Sequence, residues 1–236
     1  MSDNIERRYS TGTIEVRASD SGGIVLEGYA LKYNKLSQNL GGFVERVLPG
    51  MFAKSLADGV DVLARYQHED HYLLGRTSAG TLRVSSDDTG LPYDVDMPDT
   101  SYGRDLTVLA QRGDVRHSSF AFRTWEDDWS LTEQGFPLRS LVSGALVDVA
   151  PVVTPAYMDT TSGIRSLASK FDLSPDEIAE VLRDNKVATL FSAPAPVVID
   201  LGSQRADEST SQEQGETHSA LALARLRSEL QLKRPI

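Results

Sequence analysis

The chain has 236 residues, no cysteine, and 34 acidic against 24 basic side chains, a formal net charge of −10. Disulfides, a thiolate nucleophile and cysteine-ligated zinc are therefore excluded, and the acidic balance argues against nucleic-acid partners, whose phosphates call for clustered Lys and Arg. No apolar run approaches the roughly 20 residues that cross a bilayer, so no membrane partner is expected, and "MSDNIERRYS" has no apolar signal core.

In chain order, "GTIEVRAS" alternates apolar and polar residues, a "DSGG" turn follows, and "IVLEGYALKY" alternates again. That is a hairpin signal. "GFVERVLPGMFAKSL" reads as a strand, a Pro49-Gly50 turn and a short helix from Met51 to about Leu56. "DVLARYQH" is a strand ending at His68, and "GTLRVSSDDTGLPYDVDM" is a second hairpin about Asp87–Gly90. In "TSYGRDLTVLAQRGD" the period changes: Tyr102, Leu106, Leu109 and Ala110 recur at helical spacing. Thr100 or Ser101 is placed to cap that helix and Gly113 to end it. Val115–Arg123 alternates, with Ser119, Ala121 and Arg123 on one face and Ser118, Phe120 and Phe122 on the other. "FPLRSLVSGALVDVAPVVTPAY" adds one or two strands. In "SPDEIAEVLRDNK", Ser174 caps a helix, Pro175 occupies its first position and Glu177 completes a capping box.

The remainder changes character. A Pro-, Ser- and Glu-rich stretch from Ser192 reads as a flexible linker, and "HSALALARLRSELQLKRPI" as an amphipathic helix with Leu223, Leu226 and Leu230 on one side. The expected fold class is α+β, mainly β: a barrel or sandwich over residues 1–168, a helical extension over 169–191, a flexible acidic linker over 192–216 and an amphipathic helix over 217–236. That last helix either docks on a partner or packs on the barrel.

No P-loop, dinucleotide glycine fingerprint or HExxH is present, so no cofactor is expected. The histidines are His68, His71, His117 and His218; a general base working near neutral pH is most often one of these. His218 lies in the tail. His117 adjoins the serines, but a base must reach its nucleophile across space, so adjacency is no argument. "QHEDH" has the atom types of a metal cluster, at a spacing that matches no strong metal motif, and no metal is expected there. Asp148 interrupts the apolar run "LVSGALVDVAPVV". A carboxylate so placed lies on an edge facing solvent or is buried with a partner, for which an imidazole would serve. One histidine, one serine and one carboxylate on three strands can compose a Ser–His–acid arrangement; spacing alone leaves this open.

Five stretches, in this order, carry a resemblance: "EGYALKYNKLS", "ERVLPGMFAKSL", "VLARYQHEDHYLLGRT", "GRDLTVLAQRGDVRHSSFAF" and "LVDVAPVVTPAY". From about Glu27 to Arg165 the chain resembles the tailed-phage prohead (capsid maturation) protease family, which is related to the herpesvirus assembly proteases. The resemblance implies a mainly antiparallel β-barrel with flanking helices and a serine endopeptidase. It maps the nucleophile to Ser119, followed by Phe120, Ala121 and Phe122. It maps the histidine to His68, with Gly75-Arg76 downstream and His71 as the alternative, and the acid to Asp148. Arg139 on a neighbouring strand is the candidate to help backbone N–H groups support the oxyanion. Ala121 stands where the family usually has glycine, Asp148 where glutamate is common, and Pro151 where an ordinary strand residue is usual. By the same implication the partners are the major capsid and scaffold proteins and a second copy of the chain, since related proteases work as dimers. The setting is the procapsid in the cytoplasm of a bacterial host. Two other readings are a non-catalytic assembly protein and a metal-dependent hydrolase at "HEDH".

Overall fold

Alternation over the first half of the chain becomes one strongly curved sheet. The computed structural model describes residues 5–19, 22–154 and 161–191; the expected linker and terminal helix lie outside them. The described residues form two compact units. One takes in the residues up to Trp129 and Leu138–Ser162; the other takes in Ser130–Pro137 and those from Gly163 onward.

The strands are β1 (Glu6–Ala18), β2 (Ile24–Lys32), β3 (Val44–Val47), β4 (Leu63–Arg65), β5 (Leu73–Arg76), β6 (Leu82–Val84), β7 (Gly90–Asp96), β8 (His117–Leu131) and β9 (Pro137–Val152). They run in the order β5-β4-β9-β8-β1-β2-β7-β6, with β3 also paired to β9. Pairings β1/β2, β1/β8, β2/β7, β4/β5 and β6/β7 are antiparallel, whereas β3 and β4 each run parallel to β9. The barrel is thus mainly antiparallel but mixed. Inward residues of the alternating strands, among them Leu26, Leu91, Tyr93, Val95, Phe120, Phe122 and Leu146, form its core with Met51 and Phe52.

The two ends of the sheet nearly meet. Just ahead of β6, Thr81 accepts the Arg76 N–H at Oγ1 at 3.0 Å and the Asp96 N–H at its carbonyl at 2.9 Å. Gly75 sits in this seam, where an added Cβ would lie 2.8 Å from Val95 Cγ2 and 2.9 Å from the Thr81 carbonyl oxygen.

Two elements differ from the sequence expectations, the start of β1 and the end of β4. β1 begins at Glu6, inside a charged stretch, because Glu6 and Arg8 are buried against distant opposite charges. Arg8 bonds Glu45 Oε1 at 2.8 Å and Glu6 at 2.9 Å, and Arg139 bonds Glu6 at 2.7 Å, Glu45 at 3.0 Å and Asp127 at 2.6 Å. Burial pushes the Glu6 carboxyl up, but Arg139 and Arg8 outweigh it and hold the group below the usual range. The strand ending in "ARYQH" stops at Arg65 instead of His68, and the four-residue β5 follows after a turn. Of the one or two strands expected in "FPLRSLVSGALVDVAPVV", one forms, the long β9.

Helix α1 (Ala53–Ala57) follows the Pro49-Gly50 turn, and α2 (Ser101–Arg112) carries the expected ends. Thr100 Oγ1 accepts the Gly103 N–H at 3.1 Å, and Gly113 closes the helix at a φ of 81°. Helix α3 (Thr161–Lys170), which the sequence pattern does not announce, precedes α4 (Pro175–Arg183) and α5 (Ala188–Phe191). In α4 the capping box is complete: Ser174 Oγ accepts from Glu177 N at 3.2 Å, and Glu177 Oε2 accepts from Ser174 N at 2.8 Å. Its buried side, Ile178, Val181 and Leu182, is the face expected of the amphipathic pattern.

Because backbone and a β-branched side chain both crowd the seam, Gly75→Ala is expected to destabilise the barrel by about 1–3 kcal/mol. Denaturant unfolding followed by tryptophan fluorescence checks this through a lower midpoint.

Candidate active site

The two serines of "HSSF" part company at the strand pleat. Ser118 faces the core, where its hydroxyl lies 3.0 Å from Tyr93 OH. Phe120 and Phe122, on the same face, stack with ring centroids 5.2 Å apart. Ser119 faces the other way. Both serines are shielded from water. Ser119 lies opposite Tyr9 of β1, and its Oγ is 2.9 Å from the Arg8 carbonyl oxygen.

His68 reaches the same point from the turn between β4 and β5. That turn closes on itself through Tyr66 N to Tyr72 O at 3.0 Å, Glu69 N to Tyr66 O at 3.2 Å and Tyr72 N to Glu69 O at 3.0 Å. Within it Gln67 and His68 take φ values of 59° and 61°, the left-handed region that side chains with a Cβ seldom occupy. Backbone of this kind persists where its surroundings over-determine it, and it clusters at functional positions. The consequence is an imidazole only 6% exposed, with Nε2 2.7 Å from Ser119 Oγ and Nδ1 2.7 Å from Asp148 Oδ1.

Asp148 has no exposure to water; it lies on β9 beside Leu63 of the parallel strand β4. Its other oxygen is bonded by the Arg65 guanidinium, whose second arm bonds Asp70 on the far side of the turn. With the Asp148 carboxylate accepting the Nδ1 proton, the Nε2 lone pair faces Ser119. The single hydroxyl proton of Ser119 then has two acceptors within reach, Nε2 and the Arg8 carbonyl. Burial pushes the His68 imidazole down to about 4, and the nearby charges of Arg7 and Arg65 act in the same direction.

The other candidates lie elsewhere. His71 is exposed, its ring 4.3 Å from that of Tyr72, and no hydrogen bond joins it or His117 to Ser119. His218 falls outside the described residues. Arg139 is fully buried with its guanidinium on Glu6, Glu45 and Asp127, and no bond links it to Ser119, His68 or Asp148. Ala121 and Pro151 are both buried in their strands. Among the described residues no three His, Asp or Glu side chains are placed to share a metal ion. Sequence reasoning missed Arg65 and the Arg8 carbonyl. A charged residue closing the otherwise apolar "VLAR" is a signal for Arg65; a backbone carbonyl carries none.

A hydroxyl, an imidazole and a carboxylate joined in one hydrogen-bonded line is the arrangement on which serine hydrolases activate a nucleophile. The chain belongs to the caudovirus prohead serine protease family, whose sequence model matches residues 12–173. Among solved structures it is similar to the bacteriophage T4 capsid assembly protease, gp21. That similarity has a TM-score of 0.43 at 13% identity and covers 63% of this chain and 96% of that one. No curated protein matches the sequence.

The state of His68 has a consequence for stability. The unfolded ring takes up its proton at the ordinary 6.5, the folded ring only at about 4. Between these values the unfolded chain binds the proton first, so this group's contribution is whole above 6.5 and is lost as pH falls towards 4. Unfolding midpoints taken at intervals through that window are expected to fall more gently with acidification in His68→Gln than in the unsubstituted protein.

Proposed function

We propose that the chain is a serine endopeptidase of the Ser–His–Asp type that cleaves scaffold and major capsid proteins, and itself, during procapsid maturation. The observation that carries this reading is the line of two 2.7 Å bonds from Asp148 through His68 to Ser119. Ser119 Oγ attacks the scissile carbonyl carbon while His68 Nε2 takes its proton. The tetrahedral intermediate collapses with rupture of the C–N bond as His68 returns the proton to the departing amine. Water, activated by the same nitrogen, then hydrolyses the acyl-enzyme. Asp148 holds the tautomer and stabilises the imidazolium as it forms. With Arg139 tied to three carboxylates, oxyanion support in this reading falls to backbone N–H groups.

Family membership supports the choice of substrates and the setting, the procapsid within a bacterial host. Among the described residues no helix is long and apolar enough to cross a membrane. In this reading the protease works as a homodimer. The segments over 192–216 and 217–236 are the proposed site of self-cleavage and the proposed contact to scaffold or capsid.

The test is intact-mass spectrometry over time on the purified protein, alone and mixed with its capsid and scaffold proteins. Ser119→Ala and His68→Ala are each expected to lower turnover by on the order of 10⁴-fold or more, and the double variant hardly further, because the groups act as a unit. Ser118→Ala is expected to retain cleavage while losing about 1 kcal/mol of stability with the Tyr93 hydroxyl bond. Equal fragmentation in wild type and folded Ser119→Ala would refute Ser119 as nucleophile. No fragments from any variant, at any concentration, would favour the non-catalytic assembly role.

A further inference from the structure

Besides its own backbone bonds, the left-handed turn that presents His68 is bonded by the side chain of Arg65, which lies outside the Ser119–His68–Asp148 line. Arg65 ends β4, its side chain is 11% exposed, and its two terminal nitrogens bond Asp148 on one side and Asp70 on the other. Asp148 is fully buried and Asp70 is 89% exposed, so the fork joins the barrel wall to the outer limb of the turn. In the chain, Gln67 and His68 lie between Arg65 and its partner Asp70. Arg65 Nε is itself buried without a partner, so the side chain is committed to its two carboxylates at the expense of its third donor site. A planar five-donor guanidinium can grip two acids in fixed directions; an ammonium cannot.

Resting on the proposed roles of Ser119, His68 and Asp148, we propose that Arg65 is a positioning residue: it clamps the His68 turn against Asp148 and takes up half of that carboxylate's charge, so that the imidazole meets Ser119 in its neutral, proton-accepting form. The division of Asp148 is visible atom by atom, with Oδ1 on His68 and Oδ2 on Arg65. A buried Asp–His pair standing alone would draw a proton onto the ring. Here a cation already lies against the same carboxylate, and the charges facing His68 from other elements do not offset it. Arg7 of β1, itself exposed, lies opposite Ala121 and hence on the Ser119 face, and its positive charge acts on the ring more strongly than that of Arg65. Ser119 of β8 is neutral. Glu69, Asp70 and His71 of the turn itself are exposed to water, which weakens their effect. Burial does most to keep the ring unprotonated below neutral pH, and the charges of Arg7 and then Arg65 add to it.

The test follows the His68 ring by NMR in the Ser119→Ala protein, with and without Arg65→Gln, so the readout does not depend on turnover. Removing the cation is expected to raise the ring's titration midpoint, while burial and Arg7 still hold it below the usual 6.5. In otherwise unsubstituted enzyme, Arg65→Gln is expected to lower kcat by about 10-fold or more with little change in KM, and to move the acid limb of kcat upward with the ring. Arg65→Lys, which keeps the charge and loses the fork, is expected to leave the midpoint in place while kcat still falls. A midpoint unmoved in folded Arg65→Gln, or kcat unchanged in Arg65→Lys, would overturn the proposal. Should Arg65→Gln fail to fold, Asp70→Asn at the exposed end of the fork replaces it: a several-fold fall in kcat at constant KM supports the clamp, and wild-type kcat overturns it. A shifted ring in a chain with no Ser119-dependent cleavage would leave the clamp intact and refute the protease reading instead.

Discussion

A carboxylate without access to water has to be met by donors on every side, and Asp148 imposes that requirement on the whole site. Leaving such a group unpartnered costs several kcal/mol. The barrel answers from two directions, a guanidinium from β4 and an imidazole from the turn beyond it. The parallel pairing of β4 with β9 brings Leu63 level with Asp148, which puts Arg65 and His68 within reach of its two oxygens. Once Nδ1 is committed to the carboxylate, the orientation of Nε2 is no longer free, and the strand that bears Ser119 has to pass where that nitrogen points.

A second buried charge cluster does comparable work for the strand of Ser119. Glu6, Arg8, Glu45, Arg139 and Asp127 join β1, β3, β8 and β9. Replacing such clusters with apolar residues is often neutral or stabilising in other proteins, so their worth here is not simply stability. The cluster fixes the first residues of β1 against β8, and the carbonyl of Arg8 in that segment is the alternative acceptor for the Ser119 hydroxyl. Arg139 serves this architecture on the core side of the wall. A basic residue on a strand next to that of a candidate nucleophile is therefore no guide to oxyanion support until its partners are known.

Some of the site was legible because the chemistry leaves local marks. A lone Asp in an apolar run marks either an edge or a paired buried charge, and alternation through "HSSFAF" assigns Ser118 and Ser119 to opposite faces before any partner is known. The capping box at Ser174 and Glu177 and the glycine stop at Gly113 are likewise local. The start of β1 was not legible: "ERRYS" is polar by any pattern, and the burial of its Glu6 and Arg8 depends on Glu45 and Arg139, far away in the chain. The turn at Gln67 and His68 was hidden too, since no glycine or asparagine marks a left-handed backbone there.

What the sequence determined by itself is the inventory and the alternation: mainly β-strands, no thiol chemistry, one serine facing away from the core, one acid inside an apolar run, and few histidines. Only the tertiary structure decided which histidine meets which serine, how Asp148 divides its two oxygens, and that Arg139 belongs to a buried charge cluster. The reason is physical. Period and composition act over neighbouring residues, whereas a buried charge is satisfied by whatever the sheet's register brings beside it. The contacts that matter here, His68 to Ser119 and to Asp148, span 51 and 80 positions of the chain.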